Sequence, residues 1–286
     1  MPSVSVIIPA YRAEKFIVRT VTSLLTQTLS DWEAVIVSDD KFDYQNFLAK
    51  HDITDKRLRF GSTGKIGSGP SNARNIALDM AKSNIIATLD ADDTFDKRKL
   101  AMMMPMAKKH GMVVSNIKVI DYEPGIELHG LQYTPHTRLI KYNELLAANI
   151  CMNSNIVYKR TRTQIYWPQN IKYCEDIFFV SQIYDHYGKA FYFRHKLHNY
   201  QVHGESLCRT DDAIKGFTRD RNILISMLQE KESLIMDKST KNMLIDFLQA
   251  GSNVNKKYNN KIISYEHYIR DIRSSCPFLP NHQSWK

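Results

Sequence analysis

Three carboxylates stand at the end of an apolar stretch in NIIATLDADDTF, which covers residues 84–95. Asp90, Asp92 and Asp93 follow residues that favour β-strands, so we expect them at a strand end. Carboxylates this close repel one another unless a positive charge lies among them. Since few oxygen ligands are present, the pattern favours Mg²⁺ or Mn²⁺ shared with the phosphates of a ligand. A helix N-cap formed by Asp93 or Asp96 is the alternative.

A second acidic pair, Glu175 and Asp176, opens the aromatic-rich stretch CEDIFFV. A partly buried carboxylate beside another has a raised pKa, which suits a general base working near neutral pH. The same two acids would also suit the first turn of a helix, where negative charge is stabilised by the helix dipole. The pair alone predicts a helix start, and its position after the strands and before an aromatic helix favours a catalytic role.

The glycine-rich stretch GSTGKIGSGPSNAR could let the backbone approach a phosphate, with Arg74 in the following helical turn. It is not a P-loop, and Asn72 stands where a dinucleotide fingerprint requires its third glycine. A flexible loop before an ordinary helix is the alternative.

Four histidines lie close together in the sequence, at His186, His195, His198 and His203. Their spacing fits no zinc motif and no cysteine or acid is paired with them, so a zinc site is not favoured. His203 remains a candidate for an additional metal contact.

The chain has 286 residues, of which 43% are hydrophobic, enough for one large domain or a domain with an appendage. It has no apolar run long enough for a spanning helix, and its N-terminus does not have the pattern of a signal peptide. The four cysteines are scattered, so we expect reduced thiols in a cytoplasmic protein.

The net charge is +9 and no basic block stands out, which argues against a nucleic-acid partner. An evenly spread positive charge suits an anionic small molecule or an anionic membrane surface, and it is equally consistent with an ordinary soluble surface.

These residues need a scaffold, and the N-terminal half predicts an α/β one. Strands are predicted at 4–10, 32–40, 85–90 and 111–120, and helices at 13–28, 71–83 and 96–110. Alternation of this kind predicts a mainly parallel, Rossmann-like sheet with helices on both faces. Ligands bind such sheets at the carboxyl ends of the strands, where PAY, SDD and DADD fall.

Residues 211–286 form a different region, with three stretches that have the pattern of amphipathic helices. Three interpretations stay open for these helices. They could cover the catalytic domain, form a homo-oligomer, or make peripheral contact with a membrane through the lysines of NVNKKYNNK.

Taken in order, the motifs resemble those of the family 2 glycosyltransferases, which have the GT-A fold and use nucleotide-diphospho-sugars. The resemblance covers about residues 1–210 and rests on VSVIIPAYRAEKF, VIVSDD, GPSNARNIAL, IIATLDADD, YCEDIFFV and YQVHGESL. It implies a catalytic domain at 1–210 and a helical region at 211–286. Within the catalytic domain, about 1–110 would bind the nucleotide-sugar and 111–210 the acceptor.

The resemblance also assigns roles to individual residues of this sequence. Pro9, Ala10 and Tyr11 would form the edge of the base pocket, and Asp39 would accept the ring N–H of a uracil. Arg74 would lie near the diphosphate or the base, Asp90 would contact the ribose, and Ala91 would also belong to the nucleotide-sugar site. Asp92 and His203 would hold Mn²⁺ or Mg²⁺, and Asp176, beside Glu175, would be the general base. The family usually has Asp-Asp-Gly/Asn-Ser where this chain has SDDK, so a one-residue shift would select Asp40 instead of Asp39.

The resemblance therefore implies an inverting, metal-dependent transferase that moves sugar from a UDP-sugar to a glycan or lipid-linked acceptor. The Gln-x-x-Arg-Trp motif of processive members does not occur, so we expect addition of one or a few sugars. We expect a role in bacterial surface polysaccharide or lipopolysaccharide synthesis, in the cytoplasm or peripherally at the inner face of the plasma membrane. A nucleotidyltransferase of related fold and a non-catalytic nucleotide-sugar-binding module are the alternatives, although PAYRAEKF lacks the glycine that a nucleotidyltransferase loop needs.

Residues 165–176 and 121–150 are expected to build the acceptor side. Tyr166, Trp167 and Tyr173 could stack on a sugar face there or belong to the core.

Overall fold

The computed structural model describes residues 1–123, 125–128, 136–148, 155–205, 212–230, 236–257, 271–272 and 274–279. The strands are β1 Val4–Ala10, β2 Trp32–Ser38, β3 Leu58–Ser62, β4 Ile85–Thr88, β5 Thr94–Phe95, β6 Met112–Asp121, β7 Glu127–Leu128, β8 Arg138–Ile140, β9 Ile156–Lys159 and β10 Ala190–Val202. The helices are α1 Ile17–Leu25, α2 Tyr44–Ala49, α3 Pro70–Met80, α4 Lys99–His110, α5 Tyr142–Ala148, α6 Glu175–Tyr187, α7 Ala213–Glu230 and α8 Lys238–Lys257.

The described strands form one sheet in the order β3-β2-β1-β4-β9-β6-β10-β5, with β7 beside β6 and β8 beside β10. Strands β3, β2, β1 and β4 run parallel, as the alternating pattern predicts. Strand β9 is antiparallel to both β4 and β6, and it thereby joins the two halves of the sheet. The predicted α/β class with a parallel sheet is confirmed, and the antiparallel strands are an addition to it.

Two hydrophobic cores lie on the two faces of the sheet. Along β1, Val6 and Ile8 belong to the core that contains α1, α2 and α4, whereas Ile7 belongs to the core that contains α3, α5 and α6. This alternation follows from the two-residue period of a strand. Burial of both faces therefore accounts for the almost continuously apolar strands of the sequence.

The parallel register brings the polar strand ends to one edge of the sheet. Ala10 pairs with Ser38 across β1 and β2, and Ile7 of β1 pairs with Thr88 of β4. The stretches PAY, SDD and DADD therefore emerge side by side. Strand β10 pairs with β5 just beyond DADD and ends at Val202, which places His203 at the same edge.

Two helices begin at residues other than the predicted 71 and 96. Helix α3 begins at Pro70 after Gly69, and the hydroxyl of buried Ser71 donates to the carbonyl of Ile171. Helix α4 begins at Lys99, and the side chain of its N-cap residue, Arg98, makes no capping bond. Asp93 therefore does not cap α4, whereas the Asp96 carboxylate accepts the Arg98 amide at 3.0 Å just before the helix.

Helices α7 and α8 pack on the same core as α6. Their buried side chains include Leu224, Leu228, Leu244, Phe247 and Leu248. The third predicted C-terminal helix lies mostly outside the described residues. Across the described ranges, no helix has both the length and the apolar character needed to cross a membrane.

Candidate active site

The first part of the site is the pair Asp39 and Asp40 at the end of β2. Asp40 accepts four hydrogen bonds within its own neighbourhood, from the Arg12 and Phe42 amides and the Ser38 and Tyr44 hydroxyls. These bonds outweigh the effect of burial and lower the pKa of Asp40. Asp40 therefore holds the ends of β1 and β2 together, and its oxygens are already engaged.

Asp39 is buried and turns toward the glycine-rich loop. Its Oδ1 accepts from the Thr63 hydroxyl at 2.8 Å and from the Ser68 amide at 3.0 Å, as well as from the Ser68 hydroxyl. Its Oδ2 accepts from the Gly69 amide at 2.8 Å. Because a carboxylate oxygen has two acceptor positions, Oδ2 retains one position beyond its bond to Gly69. Of the two acids, Asp39 has the better geometry for an additional donor.

The β1 end borders the same loop. Tyr11 is 45% exposed, and its hydroxyl lies near the backbone of Gly67, where an added Cβ would be 3.8 Å away. Pro9 and Ala10 end the strand beside Val37 and Ser38. An exposed ring next to a glycine-rich loop leaves an open apolar surface at the position expected for the base.

Arg74 supplies positive charge among the site carboxylates. Its guanidinium donates to Asp90 Oδ1 at 2.8 Å and to Glu175 Oε1 at 2.9 Å, and its side chain is only 7% exposed. The acid at the end of β4 is thus joined to the acid at the start of α6. Arg74 therefore organises carboxylates from two elements, which the sequence did not indicate.

Asp92 has a different partner. Its Oδ2 lies 2.9 Å from His203 Nε2, and the His203 ring stacks on Phe16 with centroids 4.4 Å apart. The other ring nitrogen, Nδ1, is buried and has no hydrogen-bond partner among the described residues. The two predicted metal ligands therefore converge, although no group of three or more acid, His or Cys side chains within the described residues could hold a metal alone.

The third carboxylate, Asp93, is fully inside the protein. Its Oδ2 lies 2.8 Å from His198 Nε2, and His198 Nδ1 lies 3.0 Å from Lys99 Nζ. Its Oδ1 accepts from the Gln201 amide at 2.8 Å. Burial lowers the pKa of both His198 and Lys99. Asp93 thus ties the DADD turn to β10, the strand that leads to His203.

Helix α1 also holds this turn. The Thr20 hydroxyl lies 2.7 Å from the Ala91 carbonyl and 2.8 Å from the Asp93 carbonyl. Arg19 donates to the Asp92 carbonyl at 3.0 Å while its guanidinium lies over the Tyr122 ring. These contacts fix the backbone on both sides of Ala91, which is itself buried.

Glu175 and Asp176 begin α6, as the sequence predicts. Burial raises the pKa of Glu175 to about 7, against the lowering effect of Arg74. Burial also raises the pKa of Asp176, although its Oδ1 accepts the Ile177 amide at 2.8 Å. The preceding residue, Cys174, has φ 64°, a left-handed conformation that is strained for any side chain other than glycine. Strain next to two perturbed acids is typical of a functional site.

The aromatic residues proposed for the acceptor side divide into two groups. Trp167 and Tyr173 are core residues, since Trp167 stacks on Phe179 with centroids 3.5 Å apart and both are buried. Tyr166 is 44% exposed, and its hydroxyl donates to Asp79 at 2.6 Å.

Among the cysteines, Cys174 and Cys276 are free and buried, while Cys151 and Cys208 lie outside the described residues.

A mostly parallel sheet covered by helices, with acidic strand ends joined through Arg74 to a second acidic pair at a helix start, defines the α/β class of the protein and the place of its candidate site. Residues 5–166 match the sequence profile described as Glycosyl transferase family 2. The chain belongs to this family, and its fold is GT-A.

Two curated relatives show how far the similarity reaches. The UDP-Glc:alpha-D-GlcNAc-diphosphoundecaprenol beta-1,3-glucosyltransferase WfgD of Escherichia coli is 33% identical over 145 residues, which is 50% of this chain and 54% of that protein. An uncharacterized glycosyltransferase of Haemophilus influenzae is 26% identical over 202 residues, or 67% of this chain and 79% of that protein. The chain thus matches about half the length of the E. coli protein.

A crystal structure of Staphylococcus aureus TarS residues 1–349 in complex with UDP-GlcNAc resembles the whole molecule. The TM-score is 0.70 at 17% sequence identity, covering 98% of this chain and 82% of that one. At this identity the likeness supports the fold alone.

Proposed function

We propose that this protein is an inverting glycosyltransferase that moves a sugar from a nucleotide-diphospho-sugar to a hydroxyl group of an acceptor. One observation carries the proposal: the carboxylates of DADD and those of α6 meet through Arg74, which bonds Asp90 and Glu175. A donor bound at the strand ends would therefore lie beside the acids that start α6. Family membership is consistent with this chemistry.

We propose uridine as the base of the donor nucleotide. Uracil presents one ring N–H between two carbonyls, and Asp39 Oδ2 keeps an acceptor position beside exposed Tyr11. Two relatives support the choice, since WfgD is named for UDP-Glc and TarS was crystallised with UDP-GlcNAc.

Asp92 and His203 would hold a divalent cation, Mn²⁺ or Mg²⁺. Their ligand atoms already meet at 2.9 Å, and a carboxylate and an imidazole suit a cation whose remaining ligands are phosphate oxygens. When bound, such a cation stabilises the negative charge that develops on the departing diphosphate.

Asp176 would act as the general base. It takes the proton of the acceptor hydroxyl while that oxygen bonds to the anomeric carbon, and the bond from this carbon to the diphosphate oxygen breaks. The electron pair leaves with the nucleotide diphosphate, and attack opposite to it inverts the configuration. Its raised pKa suits this task near neutral pH.

The acceptor would be a glycan or a lipid-linked glycan of a bacterial surface polysaccharide. WfgD is named for a diphosphoundecaprenol-linked acceptor, and a Bacillus subtilis relative, TuaG, 31% identical over 157 residues, for teichuronic acid biosynthesis. With such an acceptor, the reaction would take place at the cytoplasmic face of a membrane, with peripheral contact.

The proposal is tested by UDP release from UDP-sugars with Mn²⁺ present. Asp92→Ala and Asp176→Asn should each lower turnover at least about a hundredfold, in line with the contribution of general bases and charge-stabilising groups. Asp212→Asn, an exposed acid at 84% side-chain exposure, is the matched control and should leave turnover unchanged.

Transfer that survives both substitutions contradicts the mechanism. Calorimetry that detects UDP-sugar binding without turnover on any acceptor would instead indicate a binding module. Release of pyrophosphate from a nucleoside triphosphate would indicate a nucleotidyltransferase.

A further inference from the structure

The loop that precedes α6 is held by a residue far along the chain. Asp220 lies in α7 and is completely buried. Its Oδ2 accepts from the amides of Lys172 at 2.8 Å and Tyr173 at 2.7 Å. Its Oδ1 accepts from Arg219 Nε at 2.6 Å. A buried carboxylate thus receives two successive backbone amides just before Cys174.

The side chain of Tyr173 is held by the same helix. A Cβ added to Gly216 would lie 2.2 Å from Tyr173 Cε2, so the ring packs directly on the backbone of α7. The Phe217 ring lies 4.9 Å from the Tyr173 ring, centroid to centroid. Helix α7 therefore fixes both the main chain and the side chain of this segment.

The segment needs such support because Cys174 has a left-handed backbone. A non-glycine residue stays in this conformation only when its surroundings impose it. If the two amides lost their acceptor, Cys174 could relax to an ordinary conformation, and the first residues of α6 would rotate. Those residues are Glu175 and Asp176.

We propose that Asp220 is a positioning residue that aims the general base Asp176 from the C-terminal helical region. The inference rests on the proposed function, because it takes Asp176 to be the base. It gives α7 a role beyond covering the catalytic core. Asp220 does not touch the reacting atoms; it acts through the Lys172 and Tyr173 amides.

The test compares Asp220→Ala with Asp220→Asn under steady-state conditions. A misplacement of about 1 Å at a reacting group can cost about a hundredfold in rate, so Asp220→Ala should lower kcat about 10- to 100-fold. The KM for the UDP-sugar should stay within about twofold, since the donor binds at the strand ends. Asp220→Asn keeps an oxygen that accepts both amides and should restore kcat to within about threefold of the parent protein.

Two further variants separate positioning from stability. Asn255→Ala removes the bonds from α8 to the Thr218 hydroxyl and Ile214 carbonyl of α7 without touching residues 171–174. It should lower the melting temperature and leave kcat unchanged. Gly216→Ala introduces a better helix former into α7 yet displaces the Tyr173 ring, so it should lower kcat with the donor KM unchanged.

The Asp176→Asn variant separates the assignment of the general base from the positioning role of Asp220. In that background, Asp220→Ala should cause no additional loss, because two residues that act as a unit are not additive. Full activity of Asp176→Asn would overturn the base assignment itself. If Asp176→Asn is inactive, two results would overturn the positioning role alone. One is an unchanged kcat in Asp220→Ala, and the other is an equal loss of kcat in Asp220→Ala and Asn255→Ala.

Discussion

Arg74 neutralises the carboxylates of Asp90 and Glu175, which lie far apart in the chain and differ in how deeply they are buried. Glu175 has 10% side-chain exposure, whereas Asp90 has 29% and borders solvent. The cost of desolvating ionised Glu175 exceeds the stabilisation that Arg74 gives it. The pKa of Glu175 is therefore raised even with the guanidinium 2.9 Å away. Removal of the guanidinium would leave this buried acid without its charge partner.

We therefore expect Arg74→Ala to lower the free energy of unfolding by about 3 kcal/mol at pH 8, where Glu175 is ionised. Adding Glu175→Gln should recover part of this loss because the second variant has no buried charge at that position. Denaturant unfolding of the two variants measures the difference. An equal loss in both would show that the packing of Arg74, and not its charge, carries the stability.

The raised pKa of Asp176 predicts a specific pH dependence of turnover. Only the ionised form accepts a proton, and burial shifts its titration above the ordinary aspartate value of 3.8. As pH falls, kcat should decline through this raised pKa, at a pH where an exposed aspartate would still be ionised. A kcat profile between pH 4 and 9 checks this; activity that stays constant down to about pH 4 would contradict it.

At the scale of elements, the DADD turn is held from two directions. From helix α1, the Thr20 hydroxyl contacts the Ala91 and Asp93 carbonyls of the turn. From β10, His198 and the Gln201 amide bond the Asp93 carboxylate. Asp92 itself is left with His203, at the open edge of the sheet. A rigid turn with one outward acid is suitable for a metal ligand.

Thr20→Val tests this support. Valine keeps the shape but removes the single hydroxyl hydrogen available to the Ala91 and Asp93 carbonyls, so the turn should loosen. We expect the Mn²⁺ concentration needed for half-maximal turnover to rise about tenfold, as for other supports of metal ligands. Thr20→Ser keeps the hydroxyl and should behave like the parent protein. A Thr20→Val enzyme with unchanged metal dependence would show that Thr20 serves stability alone.

Much of the N-terminal half could be predicted from sequence because its signals are local. Apolar runs marked β1, β2, β4 and β6, and acids marked the strand ends. The bonds of Arg74 to Asp90 and Glu175 could not be read in this way, since they join residues up to 101 positions apart. The burial of Lys99 could not be predicted either, because nothing in the sequence distinguishes it from the exposed lysines nearby.

For the site residues too, the sequence identified local motifs but not the contacts between distant parts of the chain. The sequence singled out Asp39, Asp92, Asp176 and His203 through motifs, and the structure brings Asp92 and His203 together. It left open whether Asp39 or Asp40 reads the base, because the choice depends on hydrogen bonds that only the folded loop makes. Asp220 was missed because a single acid inside an amphipathic helix resembles a surface residue.

For the whole molecule, the parallel half-sheet and its loops predict a preference among nucleotides. With Mn²⁺, UDP at about 100 times its Kd should stabilise the folded state by about 2.7 kcal/mol, raising Tm by several degrees. GDP should give a smaller shift because guanine is a larger base with two adjacent N–H donors, whereas Asp39 Oδ2 keeps one acceptor position beyond its bond to Gly69. Thermal unfolding with UDP, GDP and dTDP measures this, and Asp39→Ala is the matching control. An equal or larger shift with GDP would contradict the role given to Asp39.

Strand β9 has a consequence for a chain emerging from the ribosome. Until residues 156–159 are made, β4 has β1 on one side and an open edge on the other. An open apolar strand edge invites pairing with other chains. The parallel half of the sheet therefore gains its neighbour at β4 only after residues 156–159 have been synthesised. A fragment cut near residue 110 would lack this closing strand and be prone to aggregate.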